Sequence, residues 1–279
     1  MMNLEGSFLI LKNTAVLAYV FKGVAFTLFI SVLAVVIGIG FGSVLALVRN
    51  YCNSPKTRIF KWMAVVYIEI FRNTPLLLWI FICLVFCPCP SVFDRKLLGL
   101  TSVETKLLFK AAVALILFAS SVIAEIVRGG LNSVAHGQFE AGHSQGFHTV
   151  QIMIYIILPQ AYRSIVPTLL SQVITTIKDS SYLANVATIE LMARTKKLLS
   201  TAHSYNGTGT VNVSDVFVLF GFACLIYFVI NFTLSCVVRH MQKKKNHGGG
   251  NNYGKLCNHN FKRIWLAGKV HSPADVGNA

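Results

Sequence analysis

The chain has 279 residues, of which 54% are hydrophobic and only 13% charged, with a mean hydropathy of +0.63. Soluble domains draw about a quarter of their residues from the charged types, so this composition excludes a soluble globular protein. The net charge of +15 is unevenly placed: from Arg239 onward, eight basic residues face a single acid. A basic run just after a last apolar segment points to topology and anionic lipid rather than to nucleic acid.

A membrane-crossing helix needs roughly 20 mostly apolar residues, and five segments qualify. Residues 1–22 carry an acid at Glu5 and no basic start before their apolar part. They do not resemble a cleaved signal. The first span runs from about Gly23 to Val48, and its Gly38, Gly40 and Gly42 would let another helix approach closely. The second, about Ile59 to Phe86, is interrupted at Phe71-Arg72-Asn73-Thr74-Pro75 and ends at Cys87-Pro88-Cys89-Pro90. That Cys-Pro repeat reads as a proline-broken helix end, since no second cluster of metal ligands accompanies it.

The third span is about Leu107 to Ile126, and a polar loop over 127–160 leads to the fourth, about Ala161 to Val186. A second polar connector precedes the fifth, about Val216 to Val238. The basic, Gly/Asn-rich tail over 240–279 is expected to be flexible. Within it, Gly249 to Lys255 matches the first seven positions of a phosphate-binding P-loop. Leu256 stands where that loop needs Ser or Thr, and no strand precedes it, so no nucleotide site is expected. No gap holds a second soluble domain. The fold class is all-α integral membrane, one five-helix bundle with its termini on opposite sides. Basic residues divide ten to eight in favour of a cytoplasmic tail, which leaves orientation open.

Charge inside a span costs about 2.5–3.5 kcal/mol on insertion scales and marks candidate function. Glu69 and Arg72 are three apart and share a helix face, where they can neutralise one another. Pro75 removes the hydrogen bond to the Phe71 carbonyl and leaves an acceptor that could line a polar path. Glu125 and Arg128 repeat the spacing. Charge pairs that staple helices account for both pairs as well as a path does. Lys178 and Asp179 are adjacent and face different ways, so at least one needs a partner elsewhere, which favours a path or gate. His136, His143 and His148 are spaced seven and five apart, not the four that would stack two imidazoles on one helix face. No metal, cofactor or catalytic residue is expected.

The loop over 127–160 carries the most specific pattern. Glu140-Ala141 is followed by Gly142, then by Gly146, and after nine residues by Ile156 and Leu158-Pro159. This resembles the signature E-A-A-x3-G-x9-I-x-L-P of ABC-importer permeases, with Gly142 in place of the second Ala. Further runs are similar to the polar amino-acid branch of that family, the histidine/glutamine/arginine type. They are Gly23-x3-Thr27-Leu28, Tyr67 to Leu77, Ala124 to Leu131, Gly137-Gln138-x-Glu140-Ala141, and Ile177 to Tyr182, where Tyr182 replaces Leu. The resemblance covers about Gly23 to Arg239 in order.

It implies a type I permease of five transmembrane helices in the cytoplasmic membrane, translocating a polar amino acid. ATP would be hydrolysed in separate ABC ATPase subunits, working as a dimer. They would dock on the loop through Glu140, Ala141, Gly142, Gly146, Ile156, Leu158 and Pro159. A second permease chain, identical or paralogous, and an extracytoplasmic substrate-binding protein would complete the assembly. The signature would face the cytoplasm, putting the N-terminus and residues 1–22 on the extracytoplasmic side and the 240–279 tail in the cytoplasm. Glu69, Arg72, Pro75, Glu125, Arg128, Lys178 and Asp179 would be the path or gate residues. The rival reading, a self-sufficient secondary transporter or channel, lacks the internal repeat such folds show and leaves the signature unexplained.

Overall fold

A short helix, α1 (Leu4–Lys12), leads into the longest element, α2 (Thr14–Tyr51). The junction is fixed by Asn13, whose Oδ1 accepts the Ala15 amide at 2.9 Å and satisfies an otherwise orphan donor of the first turn. At 38 residues, α2 rises about 57 Å, more than the bilayer core needs. The computed structural model describes residues 4–52, 54–94, 100–186, 188–206 and 209–248. The P-loop-like run and the Gly/Asn-rich tail beyond residue 248 lie outside them.

The second apolar segment is two helices, α3 (Arg58–Arg72) and α4 (Leu76–Phe86), bent by 112° against each other. At 15 and 11 residues they rise about 22 and 16 Å, so neither alone crosses a core of about 30 Å. Pro75 cannot continue the helix, and neighbouring side chains take up carbonyls near the end of α3. Asn73 Nδ2 donates to Glu69 O at 2.8 Å and Thr74 Oγ1 to Ile70 O at 2.6 Å. Trp79 Nε1 then donates to Thr74 Oγ1 at 2.7 Å, and its ring stacks on Phe71 with centroids 4.0 Å apart. The bend is built, not loose.

The third span, α5 (Ser102–Asn132), opens with a capping box between Thr101 and Glu104. It packs along α2, where a Cβ added at Gly42 would lie 2.7 Å from Ser120 O. Lipid offers little hydrophobic reason for two helices to associate, so close approach of this kind is what binds them.

After α5 come α6 (Gly137–Ser144) and α7 (Thr149–Ile152), then a wide π turn over Met153–Ile157 that feeds α8 (Leu158–Asp179). Helical backbone therefore begins at Thr149, ahead of the apolar run at Ala161. A 3₁₀ segment, Ser180–Val186, follows, then α9 (Leu191–Ser200) and α10 (Val213–Gly248). Four of these segments are long and apolar enough to cross a membrane, and the α3–α4 pair passes the same test only when its two bent halves are taken together.

The two ends of the bundle differ. At one end α6 and α7 close over Ile123, Val127, Leu131, Ile152, Ile157 and Ile165, all buried. At the opposite end α9 folds back onto α2: a Cβ on Gly23 would meet Leu191 Cα at 3.0 Å, and Thr27 Oγ1 accepts the Leu191 amide at 3.1 Å. The Gly23-x3-Thr27 spacing is thus the seat of α9. Here too α1 is tied to α10, through Ser7 Oγ donating to Asp215 Oδ1 at 2.6 Å.

Candidate functional site

The loop between α5 and α8 is an elbow made of α6 and α7. Gly146 has φ +81°, and its amide donates to His143 O at 2.9 Å, while the Phe147 amide donates to Gly142 O at 3.2 Å. These paired bonds form a Schellman ending, in which the left-handed residue is almost always glycine. Gly142 is buried because Ile152 of α7 lies over it; a Cβ there would sit 2.8 Å from Ile152 Cγ1. Phe139 and Phe147 pack inward on the same core. Glu140, Ala141, His143 and Ser144 are left exposed, so one face of α6 projects from the end of the bundle as a knob. Glu140 Oε1 lies 3.2 Å from His136 Nδ1, both well exposed.

Ile156 and Leu158 are half-buried against the elbow's core. Pro159 occupies the first turn of α8, where its missing amide and ring would disturb a regular helix. The preceding π turn, with the Leu158 amide reaching back to Met153 O, absorbs that disturbance without breaking the rod.

Beneath the elbow lies a charged cluster, and its pairing differs from the sequence expectation. Glu69 and Arg72 do not neutralise one another. Arg49 of α2 takes Glu69 at 3.6 Å, and Arg72 faces Glu125 at 3.9 Å. Glu125 and Arg128 do pair: Arg128 donates through Nε at 2.8 Å and also through Nη2. Arg49 Nη1 donates to the other oxygen of Glu125 at 2.8 Å. One carboxylate thus gathers three guanidinium groups from α2, α3 and α5. Pro75 stands apart from the cluster, at the start of α4.

Along α8, Thr168, Ser171, Thr175 and Lys178 recur three or four residues apart and are all exposed. Three hydroxyls and an ammonium on one stripe of a membrane-crossing helix are poorly matched to hydrocarbon. Ser171 and Thr175 return their protons to Pro167 O and Ser171 O, at 3.1 and 3.3 Å. A groove of about 430 Å³ beside the stripe is lined by Ser171, Ile174, Phe232, Ser235, Arg239 and Gln242. Lys178 and Asp179 have no ion-pair partner among the described residues.

Sequence reasoning missed Glu190. It is fully buried, accepts the Met192 and Ala193 amides at 2.7 and 2.6 Å, and takes a hydrogen bond from Tyr227 Oη at 3.2 Å. Burial pushes its carboxyl up to about 7, against the lowering pull of those donors. An acid at the cap position before Leu191 was the available signal.

The elbow, the cluster and the stripe fall within residues 38–247, which match the family described as the binding-protein-dependent transport system inner membrane component. The chain belongs to this family. Residues 1–37 and 248–279 fall outside the match. Among relatives, the chain is 31% identical to a probable glutamine ABC transporter permease protein, GlnP, of Bacillus subtilis (strain 168), over 82% of this chain and 94% of that one. It is 35% identical to the glutamate/aspartate import permease protein GltK of Escherichia coli O6:H1 (strain CFT073), again over 82% and 94%. A solved amino acid ABC transporter crystallised with histidines superposes with a TM-score of 0.65 at 26% identity, covering 84% of this chain and 98% of that one. The chain is therefore an ABC permease subunit of the inner-membrane type, as its signature implied.

Proposed function

We propose that this permease carries a polar amino acid inward across the cytoplasmic membrane, driven by separate ABC ATPase subunits that grip the exposed face of α6. The observation that carries the reading is the elbow itself. The signature's small residues build a rigid projecting knob: Gly142 lets α7 close down, and Gly146 turns the chain. Its exposed face is free for a soluble partner. The relatives named above are assigned to glutamine and to glutamate/aspartate, which supports a polar amino-acid substrate.

On this reading the α6 end is cytoplasmic, the N-terminus lies outside and α10 ends inside, consistent with basic Arg239 and Lys243 near its close. The polar stripe of α8, ending at Lys178 and Asp179, faces a path shared with a second permease chain, where a substrate carrying both signs meets both signs. The Glu125 cluster closes the path's inner end. A soluble binding protein supplies the opposite face.

Affinity purification of the tagged chain from gently solubilised native membranes, with mass spectrometry of its companions, tests this. A co-purifying ABC ATPase, lost on Gly146→Asp while the variant still inserts, is the expected result. A chain that comes down alone while uptake persists would overturn the reading in favour of a gradient-driven transporter.

A further inference from the structure

Helix α9 lies across the end of the bundle away from the elbow, and its two sides differ in kind. Leu191, Arg194, Thr195 and Leu198 are buried. Lys196, Lys197, Ser200, Thr201 and His203, on α9 and the turn after it, are exposed and include no large apolar side chain. Lys22 of α2, next in sequence to the Gly23 seat of α9, is exposed too.

The acids at this end are turned inward, because three of the helices that begin here each use one as a cap. Glu104 Oε2 accepts the Thr101 amide and hydroxyl at 3.0 and 2.9 Å at the start of α5. Glu190, fully buried, caps α9. Asp215, also fully buried, accepts Ser7 Oγ on one oxygen, and the Asn212 amide and Asn206 Nδ2 on the other, at the start of α10. A fourth acid, Asp179, is half-buried with Lys178 next to it. Carboxylates suit helix N-termini and the orphan amides there, and using them as caps leaves cations on the surface of α9. Among the described residues Lys22, Lys196 and Lys197 form no ion pair. Lys196 Nζ donates to the neutral Asn185 Oδ1 at 3.2 Å, and Lys197 feels Glu104 without reaching it.

We propose, resting on the importer reading above, that this face docks an acidic edge of the soluble substrate-binding protein. On that reading α9 lies outside. Lys and Arg are normally sparse in translocated loops, so exposed lysines here run against the rule and call for a reason. Arg194 has a structural one: its guanidinium stacks on Tyr19 at 4.3 Å and donates to Tyr19 O at 3.0 Å. Lys196 and Lys197 are adjacent and so point about 100° apart on the helix; they diverge and cannot close on one small anion. The face also lacks the exposed apolar stripe that a lipid-bound helix needs. A broad, carboxylate-bearing protein surface fits both constraints, and charge of this kind steers the encounter. Thr27 accepts the Leu191 amide and Tyr227 donates to Glu190, so a partner seated on α9 bears on α2 and α10 together.

The test places a photo-crosslinking amino acid at Ser200 or Thr201 of the full chain in intact cells and identifies the adduct by mass spectrometry. The captured soluble protein, purified, is then titrated against the full chain in phosphatidylcholine nanodiscs at several salt concentrations. The expected adduct is a binding protein joined through a peptide that carries Asp or Glu. Lys196→Glu with Lys197→Glu should weaken its binding roughly ten-fold at low salt, and less as salt screens the charges. Changing the crosslinked carboxylates to Lys should restore binding to that variant, which a misfolded chain could not do. Lys196→Arg with Lys197→Arg should bind as the original does. So should Lys56→Glu with Arg58→Glu, an equal charge change on exposed residues after α2, at the elbow's end. No adduct with a soluble protein, binding indifferent to both charge reversal and salt, or equal loss in the Lys56 and Arg58 pair would each overturn the proposal. With a co-purifying ABC ATPase, such a result leaves the importer reading standing; a chain without an ATPase partner would remove both.

Discussion

Gly142 and Ile152 meet face to face in the elbow: a Cβ on the glycine would stand 2.8 Å from Ile152 Cγ1 and 2.9 Å from its Cδ1. The permease signature has Ala where this chain has Gly142, and here Ile152 fills the space that the missing methyl leaves. Gly142→Ala should therefore destabilise the chain by about 1–2 kcal/mol through overpacking, despite alanine's better helix propensity. The loss should shrink in an Ile152→Ala background, a coupling that unfolding of the four variants in detergent would measure. Losses that simply add would show that the contact is loose.

Gly146 meets no neighbour that a Cβ would strike, yet its φ is +81°. For an uncharged side chain, backbone conformation sets the outcome there. Gly146→Ala should cost about 1–2 kcal/mol, while Gly146→Asn, whose side chain tolerates the left-handed region, should cost less. Retention of the ATPase partner on affinity purification should follow the same order. A reversed order would mean that side-chain size at the knob matters more than the turn.

Glu125→Gln leaves Arg49 and Arg128 sharing a neutral amide with one acceptor oxygen. A loss of about 1–3 kcal/mol is expected, together with reduced uptake in reconstituted vesicles. Adding Arg49→Gln should recover part of the stability, because the uncompensated cation is then gone. Additive losses would show that Arg49 contributes nothing through Glu125.

Protonation of Glu190 links stability to pH with a definite sign. Its carboxyl rises from 4.5 in the unfolded chain to about 7 in the folded one. The folded chain therefore holds a proton across that window which the unfolded chain has released. Stability should fall as pH rises through the window, and Glu190→Gln should flatten the slope. Unfolding midpoints from about pH 5 to about pH 8 decide the matter; parallel curves would sink the assignment.

The family match ends at residue 247. Removing residues 248–279 should leave uptake nearly intact, and a large loss would reveal a role for the tail.

The signature was legible because it is local: Gly146 must be glycine for its φ, and Pro159 must sit in a first turn. The partners of Glu69 and Arg72 were not. Their three-residue spacing does put them on one edge of α3, but Arg49 and Glu125 arrive from helices distant in sequence, reached only because α3 turns by 112° at Asn73–Pro75. Counting apolar residues gives the length of a segment and is blind to such a bend. Glu190 was hidden for a related reason. In a polar connector it reads as a solvated acid, and its burial depends on α9 folding back onto Gly23 and Thr27.

The continuity of helical backbone from Thr149 to Asp179 has a mechanical consequence. Helical turns, lacking only the bond that Pro167 cannot donate, connect Val150 at the elbow to Lys178 near the far end, a rod of roughly 45 Å by helical rise. A push on the elbow cannot be absorbed by slack chain; it must rotate or translate the whole rod. The compliant places are the π turn at Met153–Ile157 and Pro167, which cannot donate to the Arg163 carbonyl, so stiffness, more than chemistry, decides how much of a partner's stroke arrives at the polar stripe.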